Sequence, residues 1–226
     1  MTSPVYSVDA QCRDCYKCVR HCPVKAIRVE NDHAAVTPQT CILCGRCVSV
    51  CGHSAKQVRD DLPRARALLR RCRTVHASLA PSFVSEFPGV RPAQLAAALL
   101  RLGFAGVHET AEGAELVSQE VAALLDRAET GLFLSTACPV AVELVTRYRP
   151  DFAAALTPVM PPMLAHAVQL KARFGADAHV VFIGPCIGKK RDADQSPALI
   201  HTALTFEELR RWLTVTGINP GDLPDA

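Results

Sequence analysis

The hydrophobic and polar positions of this 226-residue chain change their period after about the first quarter. Up to Arg59 they allow only short elements. Val5 to Val8 reads as a strand, Ala26 to Glu30 and Ala34 to Thr37 as a hairpin about the turn Asn31-Asp32, and Lys56 to Arg59 as a strand that pairs with the first. From Asp61 the period becomes helical. Asp61-Leu62-Pro63 reads as a helix start, because proline is tolerated in a first turn that needs no N–H, and Arg64 to Arg73 continues it with Leu68, Leu69 and Cys72 on or near one face. Strand and helix then alternate: strand Thr74 to Leu79, helix Pro92 to Leu102, strand Gly106 to Glu109, and helix Ala114 to Ala128 with Leu116, Val117, Val121, Leu124 and Leu125 at helical spacing. Strand Leu132 to Leu134, helix Pro139 to Tyr148, helix Pro161 to Phe174, strand His179 to Ile183 and helix Thr205 to Leu213 follow. The pattern predicts an α+β module over residues 1–60, a linker helix over 61–73, and over 74–226 an α/β domain with a mostly parallel sheet.

Hydrophobic content of 49% with 21% charged residues is ordinary for a soluble globular protein, and the length suffices for a core. No stretch approaches the roughly 18 apolar residues of a membrane span. Met1 to Ala10 carries neither a basic start nor an apolar run, and the cysteine count is odd, so the expected setting is reducing and cytoplasmic. A net charge of +3 is too weak to imply nucleic acid. Arg64, Arg66, Arg70, Arg71 and Arg73 make the linker helix basic, which reads as a solvated helix face at a domain border or as a docking surface for an acidic electron partner.

The cysteines change the picture most. Cys12, Cys15, Cys18 and Cys22 precede Pro23, and Cys41, Cys44, Cys47 and Cys51 repeat the same spacing before Gly52. Each run puts three thiolates in one short loop, enough for three corners of a cubane cluster, and the fourth cysteine starts a turn of helix that serves the other cluster. Cys12, Cys15, Cys18 and Cys51 therefore pair as one ligand set, and Cys41, Cys44, Cys47 and Cys22 as the second. Folding and metal binding are then one event. Zinc usually draws four ligands from two separated knuckles, and disulfides between such close thiols would be strained, so neither fits the repeat. Tyr16 and Ile42, inside the loops, are expected to shield the clusters from water, and His21 and His53 to be surface histidines. Val5 to Arg59 resembles the bacterial two-cluster ferredoxins, with Gly52 where the first run has Pro23.

Three cysteines remain. Cys72 reads as a packed thiol or a spare metal ligand. Cys138, in Ser135-Thr136-Ala137-Cys138-Pro139, and Cys186, in Gly184-Pro185-Cys186, each follow a predicted strand, where open α/β sheets place their ligands. Two such thiols also read as buried structural residues. Lys189 adds positive charge to the same rim, whereas Lys190 and Arg191 are expected to face solvent, and Asp192 and Asp194 to lie in a solvated turn. No glycine pattern cradles a phosphate.

Ser135 to Pro139 and Gly184-Pro185-Cys186-Ile187-Gly188-Lys189-Lys190 resemble the first two active-site motifs of the iron-only hydrogenase large subunit, and Thr74 to Phe83 is similar to the first strand of its catalytic domain. The resemblance implies a domain in which four cysteines, Cys138 and Cys186 among them, hold a cubane bridged to a two-iron centre with carbon monoxide and cyanide ligands, with Lys189 donating to a cyanide. Three departures stand out. Ala137 occupies the place of the proton-relay cysteine, Ala141 that of a tryptophan and Gly184 that of a methionine. The chain reaches Ala226 before the third motif, which supplies the last two ligands, so only a partial active-site cluster is expected from these residues.

The expected function is that of an iron–sulfur electron-transfer protein, two 4Fe–4S clusters wired to a hydrogenase-like domain that is weakly active or sensory, as Ala137 suggests by resemblance to the sensory branch. A non-catalytic redox or hydrogen sensor, the N-terminal fragment of a working hydrogenase, and an iron–sulfur assembly scaffold are the other readings. The expected partner is a redox protein of ferredoxin or reductase type, or a signalling output domain.

Overall fold

The computed structural model describes residues 3–127 and 130–225. Within them the chain separates into two compact units, one drawn from 1–59 and 133–156, the other from 60–132 and 157–226.

The first unit contains β1 (Val5–Ser7), α1 (Lys17–His21), β2 (Ile27–Glu30), β3 (His33–Val36), α2 (Arg46–Ser49) and β4 (Lys56–Val58). β1 pairs antiparallel with β4, Val5 opposite Val58, which closes the cysteine repeat on itself. β2 and β3 form the expected hairpin, with Asn31 and Asp32 both left-handed at φ 49° and 63°, as a two-residue turn matched to strand twist requires. The helical turns stand before the fourth cysteines, not after them as expected: α1 is capped at its C-terminus by Cys22, and α2 ends two residues short of Cys51. Tyr16 and Gly45 explain this. Each is left-handed, at φ 52° and 75°, and each serves as N-cap, so both helices open just after the second cysteine of a run.

The second unit comprises α3 (Leu62–Arg71), β5 (Val75–Leu79), α4 (Phe83–Glu86), α5 (Pro92–Arg101), β6 (Gly106–Glu109) and α6 (Ala111–Arg127). After α7 (Pro139–Tyr148), which belongs to the first unit, it resumes with α8 (Pro162–Phe174), β7 (His179–Gly184), α9 (Lys189–Gln195), β8 (Thr202–Thr205) and α10 (Phe206–Val215). Its four strands are all parallel, in the order β6-β5-β7-β8. Val75, Ala77, Leu95, Leu99, Val181, Ile183 and Leu209 are wholly buried between sheet and helices. α8 packs on β5 and β7, α5 on β6, and α3 and α10 on β8. Ala128, expected to end the helix that is now α6, lies outside the described residues.

Three expectations are corrected here. Leu132 to Leu134 forms no strand: Leu132 is 55% and Phe133 37% exposed, and a single parallel bridge from Leu134 to Leu156 is all that forms. Lys190 does not face solvent. It is 1% exposed, and its Nζ donates to Asp61 Oδ2 at 3.0 Å, to Glu208 Oε1 and Oε2 at 2.9 and 2.8 Å and to Ala203 O at 3.1 Å, tying the start of α3 to α9, β8 and α10. Arg191 is half-buried, and Asp192 and Asp194 lie in α9, not in a turn, with Arg64 paired to Asp194 at 3.6 Å. The last two corrections share a reason: a buried cation needs carboxylates around it, and α9 brings its own charges to meet those of α3 and α10.

Candidate metal centre

The two loops of the repeat each fold round a cavity. One is lined by Cys12, Cys15, Cys18 and Cys51 together with Tyr16, His53, Ala55 and Lys56, with a volume of about 20 Å³. The other gathers Cys41, Cys44, Cys47 and Cys22 with Val5, Ile27, Val36 and Ile42, again about 20 Å³. Left-handed residues make this possible: Asp14, Tyr16, Leu43 and Gly45 turn the backbone so that successive thiols point inward. Backbone amides turn inward as well, Ala26 N donating to Cys22 Sγ at 3.2 Å and Leu43 N to Cys41 Sγ at 3.4 Å.

The electrostatics of bare thiols are unfavourable. Burial, with the neighbouring Cys41, Cys44 and Cys22 sulfurs, pushes the Cys47 thiol up to about 12, and burial also raises Cys18. Burial alone would raise Cys51, but the N–H groups of His53, Lys56 and Ala55 and the Lys56 charge outweigh it and lower that thiol. Thiolates brought this close are tolerable only around a cation that neutralises them, so the donor set and its apolar lining fit an iron–sulfur core. The residues the sequence did not single out are Lys56, 3% exposed with Nζ bound to Ala34 O at 2.5 Å, and Tyr148, whose hydroxyl donates to Thr40 O at 2.6 Å beside Cys41. A cation at an inward position of a short strand was the available signal for Lys56; nothing local marked Tyr148. Ile42 is 4% exposed in the second cavity, and Tyr16 lines the first; His21 and His53 are exposed.

Cys138 and Cys186 fall in different units. Cys138 is exposed and stands as N-cap of α7, with Pro139 in its first turn, so its strand is missing but its helix start is as expected. Cys186 is partly buried just past the carboxyl end of β7, and its carbonyl accepts from Lys189 N at 3.2 Å. Lys189 is 8% exposed and its Nζ lies 2.9 Å from Asp192 Oδ2. Ala137 N donates to Ser135 Oγ at 3.3 Å. Gly184 has no room for a side chain: an added Cβ would lie 2.7 Å from the Phe182 ring and 2.9 Å from Ala80 Cβ. Cys72 is half-buried against the core with Sγ 3.5 Å from His179 Nε2.

Residues 73–226 match the family model described as iron only hydrogenase large subunit, C-terminal domain. The chain belongs to this family. Residues 4–77 also match a 4Fe-4S dicluster domain. Among solved hydrogenases, the HydA(ΔEFG) structure reported for stepwise H-cluster assembly is similar with a TM-score of 0.64 and 27% identity over 74% of this chain and 50% of that one. A variant of the FeFe-hydrogenase HydA1 of Chlamydomonas reinhardtii gives 0.64 and 25% over the same shares, 74% and 50%. The chain thus spans about half the length of these hydrogenases. A stretch of 48 residues of the chain is 40% identical to one component of an ion-translocating oxidoreductase complex of Methanosarcina acetivorans, 21% of this chain and 18% of the relative. A stretch of 49 residues is 35% identical to an uncharacterized ferredoxin of Methanocaldococcus jannaschii, 21% of this chain and 79% of the relative. No helix among the described residues is long and apolar enough to cross a membrane. The iron–sulfur, ferredoxin and hydrogenase-like characters of the chain rest on these matches.

Proposed function

We propose that this member of the iron-only hydrogenase family is an electron-transfer and sensing protein. Its residues 1–60 form a two-cluster ferredoxin domain, residues 61–73 a basic linker helix, and residues 74–226 a hydrogenase-like lobe. Cys12, Cys15, Cys18 and Cys51 would hold one 4Fe–4S cluster, and Cys41, Cys44, Cys47 and Cys22 the other. The observation that carries this reading is the pair of cavities, each lined by three thiols of one run and the fourth of the other. Bound there, the clusters supply one-electron exchange. Around them Ile42 and Tyr16 exclude water, Lys56 supplies a fixed positive charge, and Tyr148 anchors α7 to the loop that contains Cys41.

Cys138 and Cys186 would be two ligands of a hydrogenase-type centre, with Lys189 held ready by Asp192. Ala137 cannot accept or pass a proton, and Phe182 fills the space that a side chain at Gly184 would need. Both favour a sensing role over turnover. A reducing, cytoplasmic setting and a redox or signalling partner agree with the free cysteines and with the kinship to a component of an oxidoreductase complex.

Ligand assignment is tested by electron paramagnetic resonance of the dithionite-reduced chain. Cys15→Ala and Cys51→Ala should abolish the same centre, and Cys44→Ala and Cys22→Ala the other. Grouping of Cys22 with Cys15 would overturn the crossed assignment.

A further inference from the structure

We propose that His76, His108 and His166 form a binding site for a divalent transition-metal ion of the zinc class. The site lies in the second unit, and none of the three side chains takes part in the function above.

The strand register builds it. His76 on β5 is opposite Gly106 on β6, and Ser78 is opposite His108. The His108 ring folds back over Gly106, so that its Nε2 lies 3.1 Å from His76 Nδ1. A Cβ at position 106 would sit 2.9 Å from both nitrogens, so only glycine leaves this meeting place open. Two imidazoles on one tetrahedral zinc, at Zn–N of about 2.0–2.1 Å, hold their nitrogens roughly 3.3 Å apart, close to the separation seen here.

His166, on α8, supplies the third donor. It is completely buried, its Nδ1 lies 2.7 Å from Ser78 Oγ, and Ser78 Oγ lies 2.8 Å from Thr110 Oγ1. In the tautomer that binds metal, Nδ1–H donates to Ser78 and Ser78 to Thr110, and Nε2 carries the lone pair. That Nε2 is buried with no hydrogen-bond partner among the described residues. The His166 ring meets His108 edge-on at 6.4 Å between centroids. The three rings do not bring all their donor nitrogens within 4.8 Å of one another, so binding requires side-chain rotation that closes the set. Burial lowers all three imidazoles, His166 to about 4, which keeps them neutral, the form that binds metal, at neutral pH. Phe174, stacked on His76 at 4.1 Å, covers one side. An all-imidazole set suits zinc, nickel or copper rather than calcium or magnesium.

The test is zinc K-edge X-ray absorption of the cluster-loaded chain given one equivalent of Zn²⁺ and then dialysed. The expected spectrum has a nitrogen-only first shell at about 2.0 Å with imidazole scattering. His76→Ala and His108→Ala should each weaken zinc retention at least tenfold with cluster iron unchanged, and Ser78→Ala should weaken it by about 10- to 100-fold. A sulfur shell at about 2.3 Å, which would put zinc on cysteines, no retained zinc, or retention indifferent to both histidine variants would each overturn the proposal. The wild-type spectrum decides by itself, whether or not the variants fold.

Discussion

Lys56 is the residue on which the first cavity depends beyond its thiols. Its ammonium is buried and bound to Ala34 O; burial keeps the Cys18 thiol raised against the pull of this charge, whereas backbone N–H groups and the charge together lower Cys51. In Lys56→Met the fixed positive charge is gone while the stem is retained, so the cluster bound there should become harder to reduce by tens of millivolts, with the second cluster nearly unmoved. A potentiometric titration read by electron paramagnetic resonance checks this; equal shifts at both clusters would refute it. Gly184 carries a second residue-scale prediction. Gly184→Met should destabilise the folded chain by about 1–3 kcal/mol, because the new Cβ meets the Phe182 ring and Ala80 Cβ, seen as a fall in melting temperature; an unchanged melting temperature would refute it. The gathering of the eight cysteines of the repeat round two cavities was legible in sequence because their spacing is a local property. Lys56 and Gly184 were legible only as residue types, since what they touch, Ala34 in one case and Ala80 in the other, is brought in by the fold.

Among elements, α9 is the one whose position the sequence least foretold. Lysine is ordinarily solvated, and the groups that bury Lys190 stand 129 and 18 residues away, at Asp61 and Glu208. Lys190→Met should cost about 3–5 kcal/mol, because Asp61 and Glu208 then remain buried without their cation, whereas the triple change Lys190→Met, Asp61→Asn, Glu208→Gln should cost distinctly less. Urea unfolding at neutral pH compares the two; equal losses would mean that the trio is not the anchor of α3. Helices with strong end signals, such as α7 behind Pro139 and α5 behind Pro92, were legible to within a residue. β8 was not: Thr202 to Thr205 is short and runs straight into α10, where Thr205 and Glu208 form a capping box that dominates the local pattern. Leu132 to Leu134 misled in the opposite sense, since a short apolar run is compatible with a strand only if a neighbour pairs with it, and here only Leu134 finds one.

On the scale of the whole molecule, the repeat and the parallel sheet were both readable, the first from ligand spacing and the second from alternating strands and helices. The division of contacts was not. Residues 133–156, which carry Cys138, group with the cysteine repeat, while Cys186 lies with the sheet. Tyr148, joined to Thr40 across 108 residues, is the visible part of that grouping, and no local pattern encodes a contact of such range. On the proposed reading, cluster ligation by the repeat would be complete within one unit, whereas Cys138 and Cys186, the proposed hydrogenase-type ligands, fall in two. The repeat should therefore assemble its clusters whether or not any centre forms at those two cysteines. The most direct measurement is iron and acid-labile sulfide per chain after anaerobic purification. The account predicts about eight of each, falling to about four of each in Cys15→Ala. Zinc in place of iron, or iron without sulfide, would contradict it.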